Sequence, residues 1–246
     1  MQITSPFGYK RIAPLRRDQK VRLPPPGEVP AFARTLNAIP ISFAEFAPAG
    51  RDYPIAFTSG DGGKTFSAVA VLGFAAGENL FCAESSCWAP GVYVPAYARR
   101  YPFCMARVTL DKVEQQNRLI CVESDCVDDR AGESMFDEKG QPLEKWKAIE
   151  RLLTEFEADL ERSRELCAIL ADYGLLEPFT MQANLKAGGA VQLTGMHRAS
   201  DRKLEQLNSA QLKNLLKKGI LARVYAHLFS LDNFARLLDR RAARAA

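Results

Sequence analysis

Residues 142–174 read PLEKWKAIERLLTEFEADLERSRELCAILADYG, and this stretch decides the fold class. Its apolar residues recur every three or four positions, while charged residues occupy most of the opposite face. Pro142 suits the first turn of a helix, and Gly174 followed by Pro178 provides a stop signal. The pattern therefore predicts one long amphipathic helix from Leu143 to Tyr173, about 46 Å in length.

Short β-favouring runs lie on both sides of this helix. Residues 53–58 and 66–72 flank a glycine-rich segment, which predicts an antiparallel hairpin. Residues 180–186 and 190–197 flank a glycine pair and predict a second hairpin. Further elements are expected as strands at 80–84, 103–109 and 118–123 and as a helical turn at 95–102.

The end of the chain is expected to be helical. Its signals are the N-caps Ser200 and Ser209, the C-cap Gly219, and leucines on apolar faces, among them Leu212, Leu215 and Leu216. The fold class that follows is α+β. We expect an extended, proline-rich arm at 1–35, a β-rich part of mostly antiparallel hairpins at 36–140, and the long helix, second hairpin and C-terminal helices at 141–246, the last two parts forming one compact unit.

Composition limits the possible classes of protein. With 47% hydrophobic and 25% charged residues, the 246-residue chain can bury a core and is not expected to be disordered. No signal peptide or transmembrane stretch is apparent, so we expect a cytoplasmic protein whose six cysteines are thiols. The net charge of +4 is modest, and nucleic acid is not the expected partner.

The segment TSGDGGKT, residues 58–65, is similar to a phosphate-binding loop of the type Gly-x4-Gly-Lys-Thr. Thr58 stands where the first glycine belongs, and residues 66–72 favour a strand instead of the helix that must face the phosphate. A glycine-rich turn therefore explains the segment better than nucleotide binding.

Two segments share the spacing Cys-x4-Cys, CAESSC at 82–87 and CVESDC at 121–126. Four thiolates could hold zinc, although structural zinc sites favour tighter spacings. Each pair could also lie across a hairpin at a separation compatible with a disulfide. Buried thiols are the simplest interpretation, and the sequence leaves all three alternatives open.

Enzyme signatures are absent from the sequence, and neither a metal nor a cofactor is expected. Carboxylates do cluster around Asp125, and the chain contains two histidines, His197 and His227. An alternative hypothesis is therefore an enzyme of unrecognised type, for example a metal-dependent one, that uses these histidines or the carboxylates.

A segment at 88–103 combines aromatic rings with two guanidinium groups, a mixture enriched at recognition surfaces. Its candidate binding residues are Trp88, Tyr93, Tyr97, Arg99, Arg100, Tyr101 and Phe103, to which we add His227. A corner of the core, with the arginines paired to local carboxylates, is the alternative.

Several stretches resemble the bacterial SapC family. They are DYPIAF at 52–57, AVLGF at 70–74, GENLF at 77–81, YVPAYARRYPF at 93–103 and YAHLFS at 225–230, with Trp88 between them. The resemblance implies a link to bacterial surface-layer or outer-membrane uptake systems and brings no catalytic residues. Our leading hypothesis is a non-enzymatic accessory protein that binds a protein or peptide through residues 88–103, with the C-terminal helices as a second surface. An oligomer is compatible with this hypothesis.

Overall fold

The computed structural model describes residues 2–83, 85–110, 113–114, 118–184 and 190–245. The strands within these ranges are β1 (Gln2–Thr4), β2 (Ile12–Pro14), β3 (Lys20–Val21), β4 (Ala38–Pro40), β5 (Ile55–Thr58), β6 (Ser67–Val71), β7 (Phe103–Leu110), β8 (Val113–Glu114), β9 (Leu119–Glu123), β10 (Glu133–Ser134), β11 (Leu176–Asn184) and β12 (Ala190–Ala199). The α-helices are α1 (Phe46–Gly50), α2 (Ala96–Arg99), α3 (Glu144–Asp172), α4 (Asp201–Glu205), α5 (Ser209–Lys217), α6 (Ile220–Ser230) and α7 (Asn233–Ala245). Short 3-10 helices form at Ala31–Thr35, Phe43–Glu45 and Ser124–Cys126.

The chain packs into two compact units, each assembled from two separate segments. Unit 1 contains the residues up to Ala33 together with Ala96–Ala158, and unit 2 contains Arg34–Pro95 together with the residues from Asp159 onward. The boundary between them falls inside α3. Strands and helices occur in both units, which confirms the α+β class, and the three-part division expected from the sequence stays a prediction.

Unit 1 is built around an antiparallel sheet in which β7 is central. The first half of β7 pairs with β9, with Phe103 opposite Val122, and its second half pairs with β1, with Thr109 opposite Gln2. Strand β2 joins the outer edge of β9, and β8 pairs with the end of β7. The strands expected at 103–109 and 118–123 are thus confirmed.

The two faces of this sheet carry separate cores, because successive side chains of a strand point to opposite sides. Phe103 packs with Trp146 and Leu153 of α3 on one face. On the other face, Cys104 and Cys121 pack with Tyr9. The apolar stripe of the first half of α3 is therefore what holds this helix against the sheet.

Unit 2 contains a five-stranded antiparallel sheet in the order β11-β12-β5-β6-β4. Both predicted hairpins are confirmed, as β5 pairs with β6 and β11 with β12. The glycine pair expected to turn the second hairpin lies outside the described residues. The strand expected at 80–84 is wrong, since Cys82 forms an isolated bridge to Trp88 and its described neighbours extend no ladder.

The long helix forms as predicted, within one residue at each end. Gly174 adopts a positive φ of 64°, and the next N–H, that of Leu175, donates to the carbonyl of Leu170 at 2.9 Å. Ser163 lies on the buried stripe, where its hydroxyl donates to the carbonyl of Asp159 at 2.8 Å. No helix within the described ranges has the length and apolar character needed to cross a membrane.

The C-terminal helices start largely where the sequence indicates. Ser200 precedes α4, and Gly219 separates α5 from α6 with a φ of 68°. Ser209 is not the cap of α5, because Asn208 takes that position. The Asn208 side chain accepts the N–H of Gln211 at 2.9 Å, and the Gln211 side chain accepts the N–H of Asn208 at 3.1 Å.

Candidate functional site

The aromatic and arginine-rich segment 88–103 is divided between the two units. Trp88 and Tyr93 belong to unit 2, where Trp88 is buried and its Nε1 donates to the hydroxyl of Tyr53 at 2.7 Å. That hydroxyl donates in turn to the carbonyl of Tyr93. The Tyr93 hydroxyl completes the chain by donating to Oε1 of the buried Glu45 at 3.0 Å. These two candidates are therefore tied into a hydrogen-bond network inside unit 2.

The remainder of the segment belongs to unit 1, and Arg100 is its buried centre. The guanidinium carbon lies 4.1 Å from the ring centroid of Tyr97 and 4.9 Å from that of Phe156. Nη1 of Arg100 lies 3.9 Å from Oε1 of Glu157. This arrangement corresponds to the alternative of a core corner in which an arginine pairs with a carboxylate, while the neighbouring Arg99 is exposed.

Two candidates of unit 1 remain. Phe103 is buried, and its ring centroid lies 5.4 Å from that of Trp146. Tyr101 is half-buried and lines two cavities. A binding role for the segment stays a prediction. Arg99 is exposed and Tyr101 is half-buried, so these two residues are better placed to contact a partner than the buried rings.

His227 is fully buried in unit 2 and is held by two backbone groups. Its Nε2 accepts the N–H of Ala199 at 3.0 Å, so the proton resides on Nδ1, which lies 2.9 Å from the carbonyl oxygen of Ile55. Burial lowers the pKa of His227 to about 4. The imidazole is therefore neutral at pH 7, and its described contacts are structural.

Residues of the metal-dependent alternative lie in different surroundings. His197 is half-buried on β12, and its ring centroid lies 4.9 Å from that of Phe66. The buried carboxylate of Glu123 accepts the backbone N–H groups of Lys10 and Arg11, each at 2.9 Å. Across the part of the chain that the structure describes, no three histidine, cysteine, aspartate or glutamate side chains come together as a metal site would require.

In the glycine-rich loop 58–65, hydrogen-bond donors are taken by the loop's own carboxylate, that of Asp61. Oδ1 of Asp61 accepts the N–H groups of Lys64 and Thr65 at 3.0 and 2.8 Å, and Oδ2 accepts the Thr65 hydroxyl at 2.6 Å. These hydrogen bonds lower the pKa of Asp61 to about 2. A phosphate would have to displace this carboxylate, and the loop leads into β6 without a helix. The geometry thus favours the interpretation as a turn.

The cysteines are free thiols, and their spacing in the sequence is a poor guide to their proximity. Cys104 and Cys121 are direct register partners across β7 and β9, although the Cys-x4-Cys pattern pairs Cys121 with Cys126. Burial raises the pKa of Cys121 to about 11, which keeps this thiol protonated. The pair was missed because nothing in the local sequence specifies the register of β7 and β9.

The C-terminal helices, which the sequence suggests as a second surface, expose four of the five large apolar side chains that are exposed among the described residues. These four lie on α5 and α6, which pack against each other in unit 2. Leu216 is 66% exposed and Phe229 is 74% exposed, and Leu212 and Tyr225 precede them by one helical turn and are exposed as well. The rings of Tyr225 and Phe229 stack with centroids 6.2 Å apart. We call these four residues the helix-hairpin face. The expectation that Leu212 and Leu216 pack inward is wrong, and Leu215 alone of the three leucines is buried.

The charged residues that α5 and α6 themselves contribute have one sign. Between Leu207 and Leu231 the sequence contains three lysines and one arginine and no acidic residue. Lys218 pairs with Glu165 of α3, and the Arg223 guanidinium stacks on Phe43 with 4.1 Å to the ring centroid. The cations that border the exposed apolar residues on α5 are Lys213 and Lys217.

A family model described as SapC matches residues 19–237. The chain belongs to the SapC family. No curated protein and no solved structure matches it. Several stretches that carry the resemblance to SapC form the core of unit 2 in this chain, where Tyr53, Ile55, Phe57 and His227 are fully buried.

Proposed function

We propose that this SapC-family protein is a non-enzymatic accessory protein that binds a protein partner through the helix-hairpin face. The observation that carries the proposal is the exposure of two leucines and two stacked aromatic rings on adjacent helices. On each helix the two exposed side chains are one turn apart, exposed apolar groups often mark interaction sites, and aromatic rings are enriched in the energetic centres of interfaces. We prefer this surface to residues 88–103 because Trp88, Tyr97 and Phe103 are buried.

The partner's surface would be apolar with an acidic border. Lys213 and Lys217 lie beside the exposed apolar residues, and α5 and α6 contain no compensating carboxylate. A second copy of the chain is a poor occupant, because a symmetric contact through this face would bring like charges together. A partner from a surface-layer or outer-membrane uptake system is the source that the family resemblance suggests.

Site-specific photocrosslinking in the native host tests the proposal. A photoreactive phenylalanine analogue replaces Leu216 or Phe229 of the full chain, and the matched control carries it at the exposed Glu138 of unit 1. We expect both face positions, and not position 138, to crosslink to one protein. The crosslinked peptide should contain apolar residues flanked by Asp or Glu.

Three results would overturn the proposal. They are adducts with another copy of this chain, adducts with lipid, and identical products from the face and control positions. A variant with Leu216→Ser and Phe229→Ser provides a second readout, since the purified crosslinking partner should bind it at least about tenfold more weakly than the unchanged chain.

A further inference from the structure

Unit 1 contains a cavity of about 340 Å³ that is separate from the surface proposed above and lies outside the role suggested by the family. It is lined by residues from the N-terminal segment, by Tyr101 and by the end of β9 with the turn that follows it. This volume is in the range of small-molecule sites. We propose that the cavity binds a small organic anion that carries a flat aromatic group.

One wall of the cavity is aromatic. The ring centroids of Phe32 and Tyr101 lie 5.8 Å apart with an interplanar angle of 56°, and both rings contact Tyr9. The hydroxyl of Tyr9 donates to the carbonyl of Phe103 at 2.8 Å, which fixes the ring behind this wall. A planar ligand would therefore meet two preorganised rings, and its contact with this wall would not require ordering of the aromatic side chains.

The charged lining favours an anion over a cation. Glu123 and Asp125 line the cavity, but the Glu123 carboxylate is occupied by two backbone N–H groups and that of Asp125 pairs with Arg11 at 3.0 Å. The exposed ammonium of Lys10 has no ion-pair partner among the described residues. Arg22 donates to the backbone carbonyl of Asp125 at 3.2 Å, and its Nη1 lies 4.0 Å from Oδ2 of Asp128, so part of its guanidinium fork is already paired and the rest offers further donors. The Lys10 ammonium thus keeps all its hydrogen-bond donors for an anionic ligand.

The hydroxyl of Tyr101 and the thiol of Cys126 add uncharged polar groups to the lining of the cavity. The Tyr101 hydroxyl lies 3.4 Å from Sγ of Cys126, and burial raises the pKa of Tyr101, so this hydroxyl remains a donor at neutral pH. A ligand would place its ring against Phe32, its anionic group near Lys10 and Arg22, and an acceptor near Tyr101. Cys126 then reports on occupancy, because a ligand in the cavity shields its thiol.

Calorimetry with three probes that share one aromatic ring tests this inference on the full chain. The probes are 4-hydroxyphenylacetate, phenyl phosphate and tyramine, and their order of affinity separates a carboxylate site from a phosphate site. We expect one or both anions to bind and to slow alkylation of Cys126, measured by peptide mass spectrometry. Lys10→Ala should weaken this binding about tenfold, while Lys139→Ala, at another exposed lysine of unit 1, should leave it unchanged.

Several outcomes would overturn the inference. One is tyramine binding as tightly as the anions, and another is equal binding by the Lys10→Ala and Lys139→Ala variants. Absence of binding by every probe at about 10 mM, with Cys126 alkylation unchanged, would also overturn it. Tyr101→Phe supplies a second variant, which should fold and should lose affinity for 4-hydroxyphenylacetate without changing the salt dependence set by Lys10 and Arg22.

Discussion

Nδ1 of His227 lies 2.9 Å from the carbonyl oxygen of Ile55, two residues beyond the last pair of β5 with β12. Continuing the register from His197 opposite Phe57 would place Ile55 opposite Ala199. His227 bonds to both of these residues, so its imidazole replaces the backbone hydrogen bonding of the next ladder step. Ser230, one turn later on α6, accepts the N–H of Ile55 at 2.9 Å.

Replacement of His227 by alanine should therefore destabilise unit 2 strongly. The change leaves a cavity and two buried backbone groups without partners, and we expect a loss of about 3 kcal/mol in the free energy of unfolding. Urea denaturation followed by circular dichroism measures it. The matched control is His197→Ala, at a half-buried ring, which should cost less than about 1 kcal/mol. Equal losses in the two variants would contradict the bridging role.

The same histidine should make the protein sensitive to acid. Its pKa is lowered from 6.5 to about 4 in the folded state. As the pH falls below 6.5, the imidazole of the unfolded chain therefore binds a proton before the imidazole of the folded protein does. Stability should thus be unaffected by this group above pH 6.5 and fall by up to about 1.4 kcal/mol per pH unit between pH 6.5 and 4. Unfolding curves of the unchanged protein and of His227→Gln isolate this effect, since the carboxylates titrate in both. Parallel pH profiles would show the prediction to be wrong.

Arg99 and Arg100 are adjacent, but substitution should destabilise the protein at Arg100 and have little effect at Arg99. Arg100→Ala removes a buried cation from between Tyr97 and Phe156 and leaves Glu157 without one of its cations, which should cost about 3 kcal/mol. Arg99→Ala, at an exposed position, should change stability by less than about 0.5 kcal/mol. Thermal and urea unfolding of both single variants check this, and a larger effect at Arg99 would refute it.

Leu215 and Leu216 form a second matched pair. Leu215 is fully buried, and its replacement by alanine should cost about 3 kcal/mol. Leu216→Ala should leave the free energy of unfolding within about 0.5 kcal/mol of the original while weakening partner binding. A stability loss at Leu216 comparable to that at Leu215 would mean that this side chain belongs to the core and not to the helix-hairpin face.

The predictable parts of this fold are those whose signals are local. The period of α3 and its stop at Gly174 appear within one stretch, and the hairpins β5–β6 and β11–β12 each join runs that are close in sequence. The N-cap of α5 lies one residue before the predicted Ser209. Asn208 and Ser209 are both good N-cap residues, and the choice between them depends on the position of Gln211.

Contacts between residues that are far apart in the sequence could not be predicted. Arg100 looks like a recognition residue in the sequence, and its burial depends on Tyr9 and Phe156, which lie far from it in the chain. The pairing of Cys104 with Cys121 likewise depends on strand register.

The sequence by itself determined the α+β class, the long helix, the two hairpins and membership of the SapC family. Only the tertiary structure decided that His227 bridges two strands, that Trp88 and Arg100 are buried, and that Leu216 and Phe229 are exposed. The physical reason is that helix and turn preferences act over a few neighbouring residues. Burial depends instead on which remote segments cover a side chain.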